Sequence, residues 1–152
     1  MHSNGFWMRL QKYRIGFDGW GLGLFLAIML PNFIWFAIPA PVDILRRESV
    51  TGGLDMAAGV CQVLLAASLV CVVRRERPKC RFVFPAAACL GYYAAWAAYY
   101  LGASGPGVIL ALSLLPCAAF LLFAAGQKNY IAAVPAAVFT VCHSISAAIN
   151  FM

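Results

Sequence analysis

Long apolar segments separated by short loops are the feature that most restricts how this chain can fold. A helix of about 20 residues crosses the hydrocarbon layer of a bilayer and satisfies its own backbone hydrogen bonds there. Five segments of roughly this length occur, at about 20–39, 54–73, 82–101, 107–125 and 130–149. The pattern predicts an all-α fold in which residues 1–152 form one membrane domain, a five-helix transmembrane bundle.

The composition fits a bilayer and leaves no room for a separate soluble domain. Hydrophobic residues make up 64% of the chain and charged residues only 11%. A soluble domain of this size carries more charge on its surface. The net charge of +6 lies mainly in the loops, where it serves membrane topology and contact with anionic lipid. We therefore expect the lipid bilayer as a partner and no nucleic acid.

Basic residues are distributed unevenly between the loops, and this predicts an orientation. The loop from Arg74 to Arg81 holds five of the eleven basic residues, and short loops rich in Lys and Arg stay in the cytoplasm. With the amino terminus inside, the inner segments carry nine basic residues and the outer segments carry Arg46 and Arg47. We expect a multi-pass protein of a bacterial cytoplasmic membrane, with its carboxyl terminus outside.

The segment before the first span, residues 1–19, is expected to lie at the cytoplasmic membrane surface. Phe6, Leu10, Tyr13 and Phe17 would share one face of a helix, with basic residues around the rest. Such a helix lies in the membrane interface and is attracted to anionic lipid. The pattern equally fits an ordinary basic flank before a membrane span.

Polar side chains within the spans fall mostly in the half that this orientation places outside. Polar groups in hydrocarbon must face protein or water, so a cavity opening outward would accommodate them together. We expect this cavity to bind, and as an extension to transport, a small organic ligand. The candidate ligand-binding residues are Asn32, Gln62, Tyr92, Trp96, Tyr99 and His143.

Aromatic spacing in the third span indicates the chemistry of that ligand. Tyr92, Trp96 and Tyr99 follow one another at helical spacing, which predicts a ladder of rings rising towards the outer surface. Aromatic faces attract organic cations. Asp55, the carboxylate nearest to them in depth, is expected only at the outer rim. The combination predicts a neutral or weakly cationic ligand.

Each candidate also has a purely structural interpretation. Tyr99 fits an aromatic belt at the membrane surface, and His143 fits a neutral residue bonded to a neighbouring helix. Asn32 and Gln62 can simply link helices. The alternative function is therefore a non-catalytic scaffold or subunit, or a homo-oligomer, that assembles through helix faces rich in small residues such as the GxxxG pair at residues 19 and 23.

Sequence motifs for catalysis or metal binding are absent from the chain. It has no HExxH, GxSxG or glycine-rich phosphate loop. His143 and Ser144 are adjacent on a helix and point apart, so adjacency does not make them a base and nucleophile. Five of the six cysteines lie in apolar segments without metal-ligand spacing. We expect no enzyme activity, no catalytic residues, no cofactor, no metal and no disulfide.

The segment Leu30-Pro31-Asn32-Phe33-Ile34-Trp35-Phe36 is followed by Pro39, Pro41, Asp43, Leu45-Arg46, Glu48-Ser49 and Asp55. It resembles the opening of a family of small bacterial multi-span membrane proteins that has no assigned activity. The resemblance covers about the first third of the chain and implies no catalytic or binding residues. A five-span bundle of this length is also similar, in fold alone, to the translocator-protein family, which binds porphyrins and sterols. The tryptophan- and proline-rich loop motif of that family is not matched here.

Overall fold

The computed structural model describes residues 11–76 and 82–151. Two short strands pair antiparallel, with Tyr13 opposite Arg74, and a 3-10 turn, Ile44–Arg46, lies in the loop after the first helix. The strands are β1 (Tyr13–Ile15) and β2 (Val72–Arg74). The helices are α1 (Gly19–Ala37), α2 (Gly52–Cys71), α3 (Val83–Tyr100), α4 (Pro106–Gly126) and α5 (Tyr130–Phe151). The predicted helical bundle is confirmed.

Within the described ranges, four helices are long and apolar enough to cross a membrane: α1, α2, α4 and α5. They suggest a membrane-embedded protein. Helix α3 has 18 residues and is not among the four, because its four tyrosines and Trp96 lower its mean hydropathy. Large apolar side chains are exposed on all five helices, among them Phe33, Val63, Leu90 and Val138. Surface of this kind suits lipid rather than water.

Helix α4 forms the centre of the bundle. Half of the residues in its most apolar stretch are buried, whereas 28% or fewer are buried in the corresponding stretches of α1, α2 and α5. It packs mainly against α3 and α5, while α2 packs mainly against α5. Phe120 and Phe123 supply the largest buried rings of α4, and each contacts an aromatic ring of another segment.

The segment before α1 differs from the sequence prediction. A helix over residues 6–17 was one of the two interpretations, but residues 13–15 form β1 and residues 16–18 lie outside any helix or strand. The strand forms because the chain beyond α2 offers free backbone groups: the Gly16 N–H donates to the Cys71 carbonyl at 3.0 Å, and the Arg75 N–H donates to the Lys12 carbonyl at 2.9 Å. The helical interpretation is therefore wrong for its described part, and residues 6–10 lie outside the described ranges.

One end of the bundle, which we call the sheet end, contains the β1–β2 sheet and the α4–α5 turn. The buried Asn129 amide donates to the carbonyls of Ser68 (3.1 Å) and Val72 (2.9 Å), and its oxygen accepts from the Ala132 N–H at 3.1 Å. Lys128 beside it adopts a positive φ of 52°, which turns the chain into α5. The Asn129 side chain thereby fastens α2, β2 and α5 together.

Helices α1 and α2 contact each other closely at this same end. A Cβ atom added to Gly21 would lie 2.6 Å from the Leu69 carbonyl oxygen, so only glycine fits there. The predicted GxxxG pair is not used in this contact. A Cβ on Gly23 would meet no described atom within 4 Å, and one on Gly19 would meet only Phe17.

Candidate functional site

A cavity of about 450 Å³ lies between the helices in the other half of the bundle, which we call the loop end because it contains the α1–α2 loop, residues 38–51. All five helices and this loop line it. Its walls are mainly apolar, with side chains such as Ile28, Leu112, Phe120 and Phe139. Its volume falls within the range of small-molecule sites, about 300–1,000 Å³.

Five of the six candidate residues line this cavity: Asn32, Gln62, Tyr92, Trp96 and His143. They come from α1, α2, α3 and α5, so residues far apart in the sequence meet in one place. The expectation that the outward polar residues share one cavity rested on their depth in the predicted spans. By depth, Asn32 and His143 were expected in the outward half, and Gln62, Tyr92 and Trp96 near the middle of the membrane.

Asn32 and Gln62 place amide groups in the wall. Asn32 donates to the Ile28 carbonyl one turn earlier (3.1 Å) and to the Tyr92 hydroxyl (2.9 Å), which connects α1 to α3. The Gln62 amide approaches the Met29 sulfur at 3.2 Å, and sulfur is a weak acceptor. Within the described part of the chain, neither amide oxygen has a hydrogen-bond donor, so both can accept a hydrogen bond from a ligand.

The aromatic ladder is present in the structure. The ring centroids of Tyr92 and Trp96 are 6.3 Å apart, those of Trp96 and Tyr99 are 5.7 Å apart, and both pairs are edge-to-face. Trp96 is 6% exposed. Its indole N–H is buried near the Tyr92 hydroxyl but lies outside ordinary hydrogen-bond geometry. Buried donors are nearly always satisfied, so a better-placed acceptor on a ligand or a water molecule would complete this one.

Tyr99 is the sixth candidate, and it does not line the cavity. It is completely buried, so it is not exposed as a residue of an interfacial aromatic belt would be. Its hydroxyl donates to an Asp43 carboxylate oxygen at 2.9 Å and accepts from the Leu45 N–H at 3.2 Å. Tyr99 therefore holds the α1–α2 loop against α3, beside the cavity rather than in it.

Tyr99 is part of a group that we call the Asp43 latch: Trp35, Asp43, Arg46 and Tyr99. The Trp35 indole N–H donates to both Asp43 carboxylate oxygens at 3.0 Å, and Arg46 Nε donates to the carboxylate at 2.9 Å. Arg46 also lies 4.9 Å above the Trp35 ring. Burial disfavours the charge on Asp43, but the hydrogen bonds from Trp35, Tyr99 and Arg46 outweigh it and lower the pKa of Asp43 below its usual 3.8.

A second polar group, the mouth cluster, lies where α2 begins and α5 ends. Its members are Ser49, Thr51, Asp55, Ser146 and Asn150, and all of them except Thr51 line the cavity. The Ser49 and Ser146 hydroxyls donate to the Asp55 carboxylate. The Thr51 and Ser146 hydroxyl oxygens are 2.7 Å apart, and the Asn150 amide donates to Thr51 at 2.7 Å. The cluster joins the start of α2 to α5 mainly through side chains.

His143 lies on the α5 wall of the cavity. Its ring stacks on Phe139 with centroids 5.1 Å apart and planes 11° apart. No described residue forms a hydrogen bond with it, so the predicted bond to a neighbouring helix is not seen. Its two ring nitrogens can therefore donate to, or accept from, a molecule in the cavity.

Taken together, these features define a helical bundle with four helices able to span a membrane and a partly polar cavity at one end. No family model, curated protein or solved structure matches the chain. Its function therefore has to be argued from the cavity itself.

Proposed function

We propose that this protein is a five-span membrane protein that binds a small organic ligand in the cavity at the loop end, with transport as an extension of binding. The observation that carries the proposal is the meeting of Asn32, Gln62, Tyr92, Trp96 and His143 around one space of about 450 Å³. A bundle that served only as a scaffold would gain stability by filling that space with side chains.

The cavity favours a particular class of ligand. Its apolar and aromatic walls suit a flat hydrophobic body, and the free amide oxygens of Asn32 and Gln62 suit a donor group on that body. Asp55 adds a negative charge to the lining and Arg47 a positive one, so the two largely offset each other for an entering ligand. A carboxylate is disfavoured because it has no hydrogen to donate to the amide oxygens. The ligand that fits best is an aromatic molecule that is neutral or weakly cationic and carries an amide or amine.

The orientation belongs to the same proposal. Lys12, Arg14, Arg74, Arg75 and Lys128 lie at the sheet end, on the strands and turns that β1, β2 and the α4–α5 connection form. Short basic loops favour the cytoplasm and its anionic lipid. The sheet end would then face the cytoplasm and the cavity would open outside. Helix α3 would also span the bilayer, because it packs along the apolar helix α4.

Reporter fusions test this orientation. A reporter after Met152 should be active outside, and one inserted at Lys79 should be active inside. Replacing the five basic residues from Arg74 to Arg81 by Gln should yield mixed orientations. An unchanged orientation would show that this loop does not determine the topology.

Ligand binding can be tested with matched probes on the purified protein. We expect 2-naphthamide and 1-naphthylmethylamine to quench tryptophan fluorescence saturably, because Trp35 and Trp96 both line the cavity, whereas 1-naphthoate should not. Gly59 also lines the cavity, and a Cβ there would meet no described atom within 4 Å. Gly59→Leu should therefore occupy part of the space and abolish binding, because its side chain starts in open space.

Gly53→Leu is the matched control, since Gly53 lies on the same helix in open space but outside the cavity. This variant should bind the probes like the wild type. Equal binding of the carboxylate, or undiminished binding by Gly59→Leu, would count against the proposed site.

The scaffold alternative has one observation of its own. Gly19 and Gly23 of α1 make almost no contact within the described chain, so this face is open to a second helix. Replacing Gly23 by Leu should dissociate a dimer that uses this face while leaving probe binding intact. Loss of the dimer and loss of probe binding are therefore separate outcomes.

A further inference from the structure

The α3 wall of the cavity carries two side-chain hydrogen-bond donors, the Tyr92 hydroxyl and the Trp96 indole N–H. Both side chains are almost fully buried, with 2% and 6% of their surface exposed. They lie one helical turn apart, and their rings meet edge-to-face. The Trp96 N–H lies near the Tyr92 hydroxyl but outside ordinary hydrogen-bond geometry, so within the described residues it is a buried donor without a partner.

The hydrogen of the Tyr92 hydroxyl is also unused, and the orientation of the Asn32 amide explains why. The Ile28 carbonyl can only accept, so the Asn32 atom that lies 3.1 Å from it is the amide nitrogen. The same nitrogen lies 2.9 Å from the Tyr92 oxygen and donates to it. The Tyr92 hydroxyl is therefore the acceptor in that bond, and its own hydrogen has no acceptor within residues 11–76 and 82–151.

The opposite deficit exists on α1 and α2. The amide oxygens of Asn32 and Gln62 have no donor among the described residues, so the cavity presents two unused donors from one helix and two unused acceptors from two others. An amide group complements both kinds, because its carbonyl accepts and its N–H donates. A protonated amine complements the acceptors alone and leaves both donors buried without partners, which is unfavourable.

We propose that the Tyr92 hydroxyl and the Trp96 indole N–H bind the carbonyl oxygen of the ligand, so that the cavity selects aromatic amides and lactams over amines. The inference rests on the proposed function and narrows its ligand class. The N–H of the ligand amide then donates to the oxygen of Asn32 or Gln62. In this arrangement Tyr92 and Trp96 determine specificity, while the apolar walls hold the aromatic body.

Three probes with one ring system separate the two halves of this recognition. 2-Naphthamide offers a carbonyl and an N–H, 2-acetylnaphthalene offers a carbonyl alone, and 2-naphthylmethylamine offers a donor alone. Equilibrium dialysis with the full chain in detergent measures the three affinities without using tryptophan fluorescence. We expect 2-naphthamide to bind most tightly, because it alone satisfies both the donors and the acceptors of the cavity.

Removing a donor from α3 should weaken only the probes that carry a carbonyl. Trp96→Phe should lower the affinity for 2-naphthamide and for 2-acetylnaphthalene by about three- to tenfold, the effect of one hydrogen bond, and leave the affinity for the amine unchanged. Tyr92→Phe should act in the same direction. Tyr93→Phe is the matched control, since the Tyr93 hydroxyl donates to the Ala27 carbonyl at 2.7 Å and Tyr93 does not line the cavity. It should bind all three probes like the wild type.

A measurement on the wild type decides the question if a variant does not fold. In the proton spectrum of protein with isotope-labelled indole nitrogens, 2-naphthamide should move one indole N–H signal downfield, and the amine should not. The same shift with both probes, no shift with 2-naphthamide, or an equal loss of both affinities in Trp96→Phe would overturn the carbonyl assignment. So would an unchanged affinity for 2-naphthamide in Trp96→Phe, which is the result if water alone occupies the two donors.

These outcomes would leave the proposed ligand site standing, because the probes would still bind. Absence of saturable binding of every probe to the wild type is a different result. It would reject the ligand site itself, and the carbonyl assignment with it.

Discussion

The two ends of this bundle are held together in different ways. At the sheet end most of the contacts involve backbone groups. Strand β1 pairs with β2, and the Asn129 side chain bonds to main-chain groups of Ser68, Val72 and Ala132. At the loop end the contacts are mostly between side chains, in the Asp43 latch and the mouth cluster. The comparison indicates a rigid base and an opposite end that, among the described residues, can open without breaking backbone-to-backbone pairing between segments.

The contrast also explains where the cavity lies. Helices α1 and α2 touch at Gly21 near the sheet end, with 2.6 Å between an added Cβ and the Leu69 carbonyl oxygen. Towards the loop end the helices leave a space between them, which contains Met29, Asn32 and Gln62 in its wall. Tight packing at one end and an open cavity at the other are thus two results of the same helix arrangement.

The largest expected effect on stability comes from replacing Asn129, which holds the sheet end together, in comparison with Asn150, which holds the loop end together. Asn129→Ala should destabilise the protein by about 2–3 kcal/mol, because it leaves the Val72 carbonyl and the Ala132 N–H without their side-chain partner. The Ser68 carbonyl loses one of its two donors and keeps the Val72 N–H. Asn150→Ala should cost about 1 kcal/mol, because Asn150 is partly exposed and water can replace its bonds. Unfolding in mixed micelles with increasing denaturing detergent measures both. Equal losses would contradict the distinction between the ends.

Glycine substitutions in α1 provide the next comparison. Gly21→Ala should cost about 1–3 kcal/mol, because its methyl group would collide with the α2 backbone at Leu69. Gly23→Ala lies in open space two residues away and should be neutral or stabilising by up to about 1 kcal/mol. The same unfolding assay applies. If Gly23→Ala destabilised the protein more than Gly21→Ala, the close contact with α2 would not be at Gly21.

The smallest effect concerns the pH dependence of the Asp43 latch. Since the pKa of Asp43 is lowered below 3.8, its ionised form stabilises the folded state. That stabilisation is complete above pH 3.8 and is lost as the pH falls through the lower folded-state value. The stability difference between the wild type and Asp43→Asn should therefore shrink as the pH decreases below 3.8. A difference that stays constant with pH would show that the charge on Asp43 does not hold the loop.

Much of this architecture was predictable because hydrophobic runs and charge distribution are local signals. They gave five helices and the shared cavity of Asn32, Gln62, Tyr92, Trp96 and His143. The sheet was not predictable, because β1 forms only where β2 supplies a partner 57 or more residues away.

The contacts of Gly21 and Tyr99 depend on tertiary packing for the same reason. The GxxxG spacing pointed to Gly19 and Gly23, but the rotation of α1 against α2 selects Gly21. The depth of Tyr99 suggested the cavity, but the path of the α1–α2 loop brings Asp43 and Leu45 over it. A loop path of this kind has no periodic signal in the sequence.

In the proposed function, the cavity is open to the outside at the loop end and closed at the sheet end. Two positions on α2 test it directly: Gly59, which lines the cavity, and Ser68, which is buried near the sheet end. In a chain without its native cysteines, Gly59→Cys should react with a small cationic, membrane-impermeant thiol reagent added outside, and Ser68→Cys should not. Equal labelling of both, an unreactive Gly59→Cys, or labelling of Gly59→Cys only from the cytoplasmic side would contradict the account.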